Sequence, residues 1–315
     1  MTENRGTVVV AVGGNSLIAD SDHMSVADQA VAAQESMRRV AELAAAGWNP
    51  VVTHGNGPQV GFLLRRAELA VAELPSLPLD VLVADTQGAT GYLFAKALHS
   101  EFAKLGLAKE TVAVVTQTVV DPADPAFASP SKPIGSFMSK DQAVERAKAH
   151  GWKVVEDSGR GWRRVVPSPR PKRIVETATI RMLSQAGLAV IAGGGGGIPV
   201  VEAPPAYQGV EAVIDKDHAT ALLANELEAE ALLISTAVEA VAIGFNTPRQ
   251  RWLGQVSVAE LREHLDAGQF GAGSMAPKVE AAIAFVERGG RRAIITSPSK
   301  MTQALAGEAG TVIVP

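Results

Sequence analysis

Glycine-bearing turns follow three of the short apolar segments in the sequence, and turns of this kind can bind phosphate. Gly13-Gly14-Asn15 follows the first segment, Gly55-Asn56-Gly57 follows the second, and a run from Gly193 to Gly197 follows a third. Glycine lets backbone N–H groups approach a phosphate without a Cβ in the way, and a helix beginning there adds its positive dipole end. Each turn alone has an ordinary alternative, a plain bend or, for the polyglycine run, a flexible linker. Together they indicate phosphate binding.

The familiar nucleotide-binding fingerprints are absent from the sequence. No Gly-x-x-x-x-Gly-Lys-Ser/Thr segment occurs, and the polyglycine run does not fit Gly-x-Gly-x-x-Gly because Ile198 occupies the required last position. A phosphoryl-transfer enzyme without these motifs still needs cations that neutralise the transferring group, usually lysine, arginine and Mg²⁺. Suitably placed lysines are therefore required.

Three lysines lie where such a cation could act. Lys216 stands between Asp215 and Asp217, at the junction of an apolar run and a predicted helix. Lys278 ends a glycine-rich turn that opens another helix, and Lys132 lies in a proline-framed segment. An aspartate could orient the Lys216 ammonium toward phosphate, although Asp215 or Asp217 could equally be a helix N-cap. Taken alone, each lysine is more often solvated than catalytic.

Composition limits the classes of function. The 315-residue chain is 47% hydrophobic and 20% charged, as in a globular protein, and it has no cysteine, which excludes disulfides, thiol nucleophiles and cysteine-ligated metals. The six histidines are scattered, which argues against a dedicated metal site. A net charge of −4 and only 4% aromatic residues argue against nucleic-acid binding. Without a basic leader or a run of about 18 apolar residues, the sequence predicts a cytoplasmic protein without membrane contact.

Short β-branched segments alternate with longer segments of helical spacing, which predicts an α/β fold. Uniformly apolar strands indicate a mostly parallel sheet covered on both faces, and such sheets bind ligands at the carboxyl ends of their strands. The predicted strands are residues 8–12, 50–53, 111–115, 188–191 and 231–234, and the predicted helices include residues 25–46, 219–229 and 278–287.

Residues 121–171 interrupt this alternation with prolines that cannot lie inside regular elements. We interpret the segment as an inserted flap that carries Lys132. A proline-rich linker between two domains is the alternative. Trp152 and Trp162 lie within the segment and indicate that the insert packs.

Seven motifs occur in one order along the chain, and the set is more specific than any of its members. They are Gly13-Gly14-Asn15 and residues 53–61, 130–135, 159–169, 193–199, 209–217 and 273–278. In this order they resemble the carbamate kinases, members of the amino acid kinase fold, over about residues 8–311. The resemblance implies a three-layer α/β/α sandwich with a mostly parallel central sheet, a protruding flap and a homodimer. It also implies an amino-terminal lobe, residues 1–205, with the acceptor site, the dimer contacts and the flap, and a carboxy-terminal nucleotide lobe, residues 206–315.

Carbamate kinases interconvert ATP and carbamate with ADP and carbamoyl phosphate, with Mg²⁺ and without a covalent enzyme intermediate. The resemblance implies that Lys132, Lys216 and Lys278 stabilise the transferring charge, and that Asp215 holds these lysines in place. We expect no protein ligand to the metal. His54 could be a general base, but a structural histidine that hydrogen-bonds its loop is at least as consistent with the sequence, so we assign it no acid–base role. The implied nucleotide-site residues are Gly13, Gly14, Asn15, Phe245, Ser274 and Met275, and the implied residues of the carbamate or carbamoyl phosphate site are His54, Gly55, Asn56, Gly57, Gly194, Gly195 and Gly196.

Two stretches depart from the family's pattern. Residues 235–245 differ where relatives border the adenine and ribose, which puts nucleotide preference in question, and Ser136 replaces a proline of the flap. Two further hypotheses stay open: a kinase of this fold that acts on another small carboxylate-like acceptor, and a regulator that binds nucleotide or carbamoyl phosphate without turnover. For a carbamate kinase we expect ATP synthesis in a catabolic pathway such as arginine, agmatine or ureide breakdown.

Overall fold

Short strands alternate with helices along the chain in the computed structural model, which describes residues 4–13, 17–18, 20, 22–157, 159–271 and 273–315. The strands are β1 (Thr7–Val12), β2 (Asn49–His54), β3 (Thr111–Ala113), β4 (Gln117–Val120), β5 (Lys132–Met138), β6 (Lys153–Glu156), β7 (Trp162–Val166), β8 (Pro171–Ile174), β9 (Ala189–Ile191), β10 (Ile198–Ala203), β11 (Ala206–Gly209), β12 (Ala231–Ser235), β13 (Ala242–Ile243), β14 (Arg251–Trp252), β15 (Gln255–Ser257), β16 (Ala293–Thr296) and β17 (Thr311–Val314). The helices are α1 (Val26–Ala45), α2 (Gly57–Ala70), α3 (Leu79–Lys104), α4 (Pro125–Ala128), α5 (Lys140–His150), α6 (Thr177–Gln185), α7 (Lys216–Glu226), α8 (Val258–Asp266), α9 (Ala276–Glu287) and α10 (Met301–Leu305).

The central sheet has eight strands in the order β15-β17-β16-β12-β1-β2-β9-β3. Its strand pairs are parallel except β16 and β17, which run antiparallel. In the middle of the sheet, Val10 lies opposite Leu233 of β12 on one side and Val52 of β2 on the other. The predicted α/β class with a mostly parallel sheet is confirmed.

Helices cover both faces of this sheet, and β1 shows why its residues are uniformly apolar. Val8 and Val10 pack into a buried cluster with Met37 of α1. The alternate residue Val9 packs into a second cluster with Val279 of α9. Because successive strand residues point to opposite faces, a strand buried on both faces needs an apolar side chain at every position. Burying each such valine stabilises the fold by roughly 1.5–3 kcal/mol, and the three-layer α/β/α arrangement follows.

The segment between β4 and β8 forms a small sheet of its own, with strand order β5-β7-β6, all antiparallel. This sheet and α5, residues 132–166, are called the flap below. Trp152 and Trp162 are half-buried within it, and the Arg164 guanidinium lies 4.9 Å from the centre of the Trp152 ring. The flap is thus a folded unit, whereas a bare linker would carry no sheet.

Two features of the fold were not predicted from the sequence. A four-stranded sheet of order β11-β10-β4-β8 lies outside the central sheet. The longest helix, α3, spans 26 residues. Among the described residues, no helix is both long and apolar enough to cross a membrane.

Candidate active site

A cleft of about 940 Å³ opens where parallel strands of the central sheet end. Gly13 follows β1, Gly55 follows β2, Ser235 ends β12 and Pro298 follows β16, and all four line the cleft. The carboxyl ends of β12, β1 and β2 are neighbours in the sheet, so the turns after them meet at one edge. This is the edge at which the sequence predicts phosphate binding.

Three helices begin at the cleft wall, each through a residue of its first turn. Gly57 opens α2, Lys216 opens α7, and Pro277 lies at the start of α9. The first backbone N–H groups of a helix have no partner within it and carry the positive end of the helix dipole. Their convergence makes the cleft suited to an anion with several charged groups.

Lys216 and Lys278 meet at one buried carboxylate. The Lys216 Nζ donates to Asp217 Oδ1 at 2.6 Å, and the Lys278 Nζ donates to Asp217 Oδ2 at 2.9 Å. Burial lowers the pKa of Lys216 although Asp217 opposes that effect. Burial alone would raise the pKa of Asp217, but the two ammonium groups hold it below its ordinary value. Asp217 therefore fixes the positions of both ammonium groups, as a charge-stabilising site requires.

The third lysine reaches this cluster from the flap. Lys132 is the first residue of β5, and its Nζ donates to Asp215 Oδ2 at 3.0 Å. Asp215 is also the N-cap of α7, because its side chain accepts from the Asp217 N–H. Burial alone would raise its pKa, yet Lys132 and His218 lower the pKa of Asp215 to about 2. Asp215 thus caps α7 and contacts Lys132, whereas the other two lysines that it was predicted to hold, Lys216 and Lys278, contact Asp217 instead.

The polyglycine run is required by close packing against Asn56 and Ile214. A Cβ on Gly195 would lie 2.2 Å from Asn56 Nδ2, and one on Gly196 would lie 2.6 Å from the Ile214 carbonyl oxygen. Gly195 has a φ of 67°, in the left-handed region that favours glycine. Asn56 Nδ2 donates to Thr86 Oγ1 of α3 at 2.8 Å, which fixes the amide beside the cleft. The run is a tight loop, and the flexible-linker alternative does not describe it.

His54 does not face the cleft. It is buried, its Nδ1 lies 3.0 Å from the Gly55 carbonyl oxygen, and its ring packs edge-on against Phe94 at 5.4 Å. Burial lowers the pKa of the His54 imidazole to about 4, so the ring is neutral at neutral pH. With Gly194 and Gln87 it lines a separate cavity of about 270 Å³.

An aromatic pair on and beside the β13–β14 hairpin lines one part of the cleft. Phe245 follows β13 and Trp252 ends β14, and their rings lie 6.5 Å apart at 70°. Each is about half exposed, although both are large apolar side chains. Both line the cleft together with Met275. A planar base could stack on such surfaces.

The cleft gathers most of the residues predicted for the site, but their individual roles stay predictions. The predicted residues that line it are Gly13, Gly55, Asn56, Gly57, Lys132, Gly195, Asp215, Lys216, Phe245, Ser274, Met275 and Lys278. His54, Gly194 and Gly196 do not line it. Gly14 and Asn15 lie outside the described residues.

Sequence reasoning missed the bridging role of Asp217 and the position of Trp252. Asp217 had a usable signal, because it lies beside Lys216 in the first turn of a helix. Trp252 had no usable signal, since the β13–β14 hairpin that carries it is too short for an alternating pattern of apolar residues to be recognised.

The arrangement can bind a polyanion and stabilise charge that develops on a transferring phosphoryl group. It brings together three ammonium groups and two carboxylates at three helix starts, and it holds no cysteine. In the described part of the chain, no group of three or more His, Asp or Glu side chains could bind a metal by itself.

Comparison with known proteins agrees with this geometry. The amino acid kinase family matches residues 6–297 of the chain. The carbamate kinase-like protein YahI of Escherichia coli is 51% identical over 311 residues, a match that covers 98% of either chain. The carbamate kinase of Pyrococcus furiosus is 47% identical over 310 residues, a match that covers 98% of this chain and 99% of that protein. The structure of Giardia lamblia carbamate kinase bound to AMP-PNP superposes with a TM-score of 0.92 at 40% identity and covers 98% of either chain. The chain therefore belongs to the amino acid kinase family, among its carbamate kinases and carbamate kinase-like proteins.

Proposed function

We propose that the chain is a carbamate kinase, which transfers a phosphoryl group reversibly between ATP and carbamate. The observation that carries this proposal is the set of cations in the cleft: Lys216 and Lys278 on Asp217, beside Lys132 on Asp215. Transfer between phosphate and a small carboxylate-like acceptor needs positioned positive charge and no enzyme nucleophile. Relatives that are 46–47% identical over nearly the whole chain are carbamate kinases, which supports the choice of acceptor.

The residue roles follow from where each ammonium lies. Lys216, in the middle of the cluster, contacts the transferring phosphoryl group, and Lys278 contacts the nucleotide phosphates. Lys132 reaches from the flap to the carbamoyl end of the cleft, which Gly55, Asn56 and Gly195 line. Such charge donors act because they are already oriented when the transition state forms.

The aromatic end of the cleft accommodates the base of the nucleotide. Phe245, Trp252 and Met275 offer apolar surface there, and Ser274 lies at the turn before α9. Stacking on aromatic rings tolerates any base, so this end supports binding of a nucleotide without fixing adenine. Discrimination among bases would come from the backbone of residues 235–238, which lines the same region.

Mg²⁺ fits this site as part of the nucleotide complex. The carboxylates of Asp215 and Asp217 are both paired with lysines, and Mg²⁺ commonly binds through substrate phosphates and waters with one or two carboxylates at most. The metal would neutralise charge on the phosphate oxygens. Lys216 and Lys278 would orient the same phosphates from the protein side.

A homodimer through α3 and β3 is part of the proposal. The face of α3 carries Gly88 and Ala89 beside Tyr92, whose side chain is 62% exposed. β3 is the edge strand of the central sheet, and the exposed Val115 follows it. Small residues beside an exposed aromatic, next to an open sheet edge, suit a second copy of the same face. The amino-terminal lobe, residues 1–205, would then hold the acceptor and the dimer contacts, and residues 206–315 would hold the nucleotide.

The test is ATP formation from carbamoyl phosphate and MgADP, measured in a coupled assay. We expect ATP synthesis, the direction used in a cytoplasmic catabolic pathway such as arginine breakdown. Running the assay with MgGDP and MgUDP measures nucleotide preference. Absence of ATP from pure, folded protein would contradict the proposal.

A second candidate keeps the phosphotransferase chemistry and changes the acceptor. It is favoured by the carbamate kinase-like protein that shares 51% identity with this chain. A panel of small carboxylates and carbamate analogues with MgATP would identify such an acceptor through ADP release. A regulator without turnover would instead be stabilised against heat by MgADP and yield no product with any acceptor.

A further inference from the structure

A second cluster of charges lies directly behind Asp215. His218, in the first turn of α7, has its Nδ1 3.9 Å from Asp215 Oδ1 and its Nε2 3.1 Å from Glu280 Oε2 of α9. Arg170 contacts the same Nε2 through its Nη1, and its Nη2 donates to Glu280 at 2.9 Å. The His218 side chain is only 14% exposed. None of these three residues lines the cleft.

Two groups of opposite kind contact His218 Nε2. The Arg170 guanidinium can only donate a hydrogen bond, whereas the Glu280 carboxylate accepts one. We assign the Nε2 lone pair to Arg170, the closer of the two, so that the neutral ring carries its proton on Nδ1, which faces Asp215. Burial and the neighbouring Arg170 both lower the pKa of His218, in keeping with a neutral ring. Glu280 is left to accept from Arg170.

The two carboxylates of this cluster, Asp215 and Glu280, bind residues at opposite ends of the flap segment. Lys132 is the first residue of the flap and is held by Asp215. Arg170 comes four residues after the flap's last strand and is held by Glu280. His218 contacts Arg170 and Glu280 and also faces Asp215, so it joins the two carboxylates.

We propose that His218 is a positioning residue that orients Asp215, and through it Lys132, while Arg170 fixes the orientation of the ring. Asp215 accepts from Lys132 on Oδ2 and from the Asp217 N–H on Oδ1. An N–H dipole facing Oδ1 from behind favours the orientation in which Oδ2 points to Lys132. The charged groups around the ring are Asp215, Glu280 and Arg170. The functional meaning of this positioning rests on the proposed function, but the contact itself does not.

Three substitutions separate the two ring nitrogens. In His218→Asn the amide can place an N–H near the Nδ1 position, in His218→Gln it reaches the Nε2 position, and His218→Leu removes both groups at similar volume. The control His264→Leu removes another partly buried histidine, which lies 3.8 Å from Glu260 on α8.

The readout is the rate at which acetic N-hydroxysuccinimide ester acetylates Lys132, followed by peptide mass spectrometry of the full-length protein without substrate. Loss of the polar ring nitrogen that faces Asp215 at 3.9 Å should raise this rate about threefold in His218→Leu. His218→Asn should return the rate toward that of the unsubstituted protein, and His218→Gln should not. Lys278, held by Asp217, is the internal reference and should react at an unchanged rate.

Activity provides a second measurement. In His218→Leu the KM for carbamoyl phosphate should rise about threefold or more while the KM for MgADP stays within about twofold, because one oriented contact at the carbamoyl end is weakened. An unchanged Lys132 acetylation rate in His218→Leu would overturn the assignment. So would a parallel rise at Lys132 and Lys278 with a lowered Tm, which indicates a purely structural role, or rescue by His218→Gln alone. If the unsubstituted protein makes no ATP, the proposed function fails while the acetylation result still decides the role of His218.

Discussion

The two sides of the cleft hold their lysines in different ways. On the helical side, Lys216 and Lys278 share Asp217, and all three side chains are at most 15% exposed. On the flap side, Lys132 is 39% exposed and is held by Asp215 alone among the contacts described. Lys216 and Lys278 lie in the first turns of α7 and α9, which pack against the central sheet, whereas β5 belongs to a small separate sheet. The difference is between a pair of charges anchored on two helices that pack against the central sheet and a single charge carried by the flap.

Replacing Lys216 should have the largest effect on catalysis. We expect Lys216→Ala to lower the rate of ATP formation by about a hundredfold or more, the loss typical when one preorganised charge donor is removed. The rate is measured with saturating carbamoyl phosphate and MgADP. Lys148→Ala, at an exposed lysine of α5, is the control and should retain full activity. Near-normal turnover in Lys216→Ala would mean that the helical side does not carry the transferring charge.

The buried region behind the cleft, which contains His54, should lose stability in acid. Its pKa is about 4 in the folded protein, lowered from 6.5 mainly by burial. The unfolded chain therefore binds a proton below pH 6.5 that the folded protein does not bind until about pH 4. The contribution of His54 to the free energy of unfolding is therefore fully present above pH 6.5. It should fall by about 3 kcal/mol as the pH drops from 6.5 to about 4.

Urea unfolding from pH 7 to pH 4.5 measures this dependence. His54→Asn keeps a group that can bond the Gly55 carbonyl but does not titrate, so its slope with pH should be smaller. The control His99→Asn, at an exposed histidine of α3, should keep the slope of the unsubstituted protein. Equal slopes for His54→Asn and the unsubstituted protein would refute the assignment to His54.

Replacing Lys132 tests the flap side and should cost less than replacing Lys216. We expect Lys132→Ala to raise the KM for carbamoyl phosphate about tenfold, which corresponds to loss of one charge-assisted hydrogen bond. The KM for MgADP should change little. A loss of turnover equal to that of Lys216→Ala would show that the two sides act as one unit and would remove the contrast between them.

The smallest expected effect is at the aromatic end. Trp252→Leu should raise the KM for MgADP about fivefold, since stacking of a base on an aromatic ring contributes roughly 1–3 kcal/mol. Trp152→Phe, in the flap, is the matched control for loss of a tryptophan. Quenching of Trp252 fluorescence by MgADP offers a binding measurement without turnover. Unchanged MgADP binding in Trp252→Leu would place the base elsewhere in the cleft.

Five of the eight strands of the central sheet, β1, β2, β3, β9 and β12, could be predicted because each lies in a short apolar run, whereas β15, β16 and β17 were not predicted. The predicted boundaries of β1, β2, β9 and β12 differ from the observed ones by at most one residue at each end. α7 begins at Lys216, three residues before the predicted start, because Asp215 caps it and the polar first turn breaks the apolar spacing. β3 ends at Ala113, since Val114 and Val115 continue the apolar run beyond the last strand pairing.

The site was less predictable than the sheet. Glycine turns and lysines were found because their residue types are informative by themselves. The sharing of Asp217 by Lys216 and Lys278 joins positions 61 residues apart, and only the packing of α7 against α9 brings them together. That His54 and Gly194 line a second cavity and not the cleft could not be predicted either, because sequence order does not tell which side of a loop a residue faces.

The carboxylate of Asp217 has a consequence for which anions the cleft admits. With Asp217 in place, neither lysine behind it is a bare cation, and an incoming anion must compete with a carboxylate for both. A singly charged ion such as chloride gains too little from that exchange. A nucleotide polyphosphate can satisfy both lysines at once while its remaining oxygens contact free helix N–H groups. We therefore expect Asp217 to favour a polyphosphate over singly charged anions at this pair of lysines.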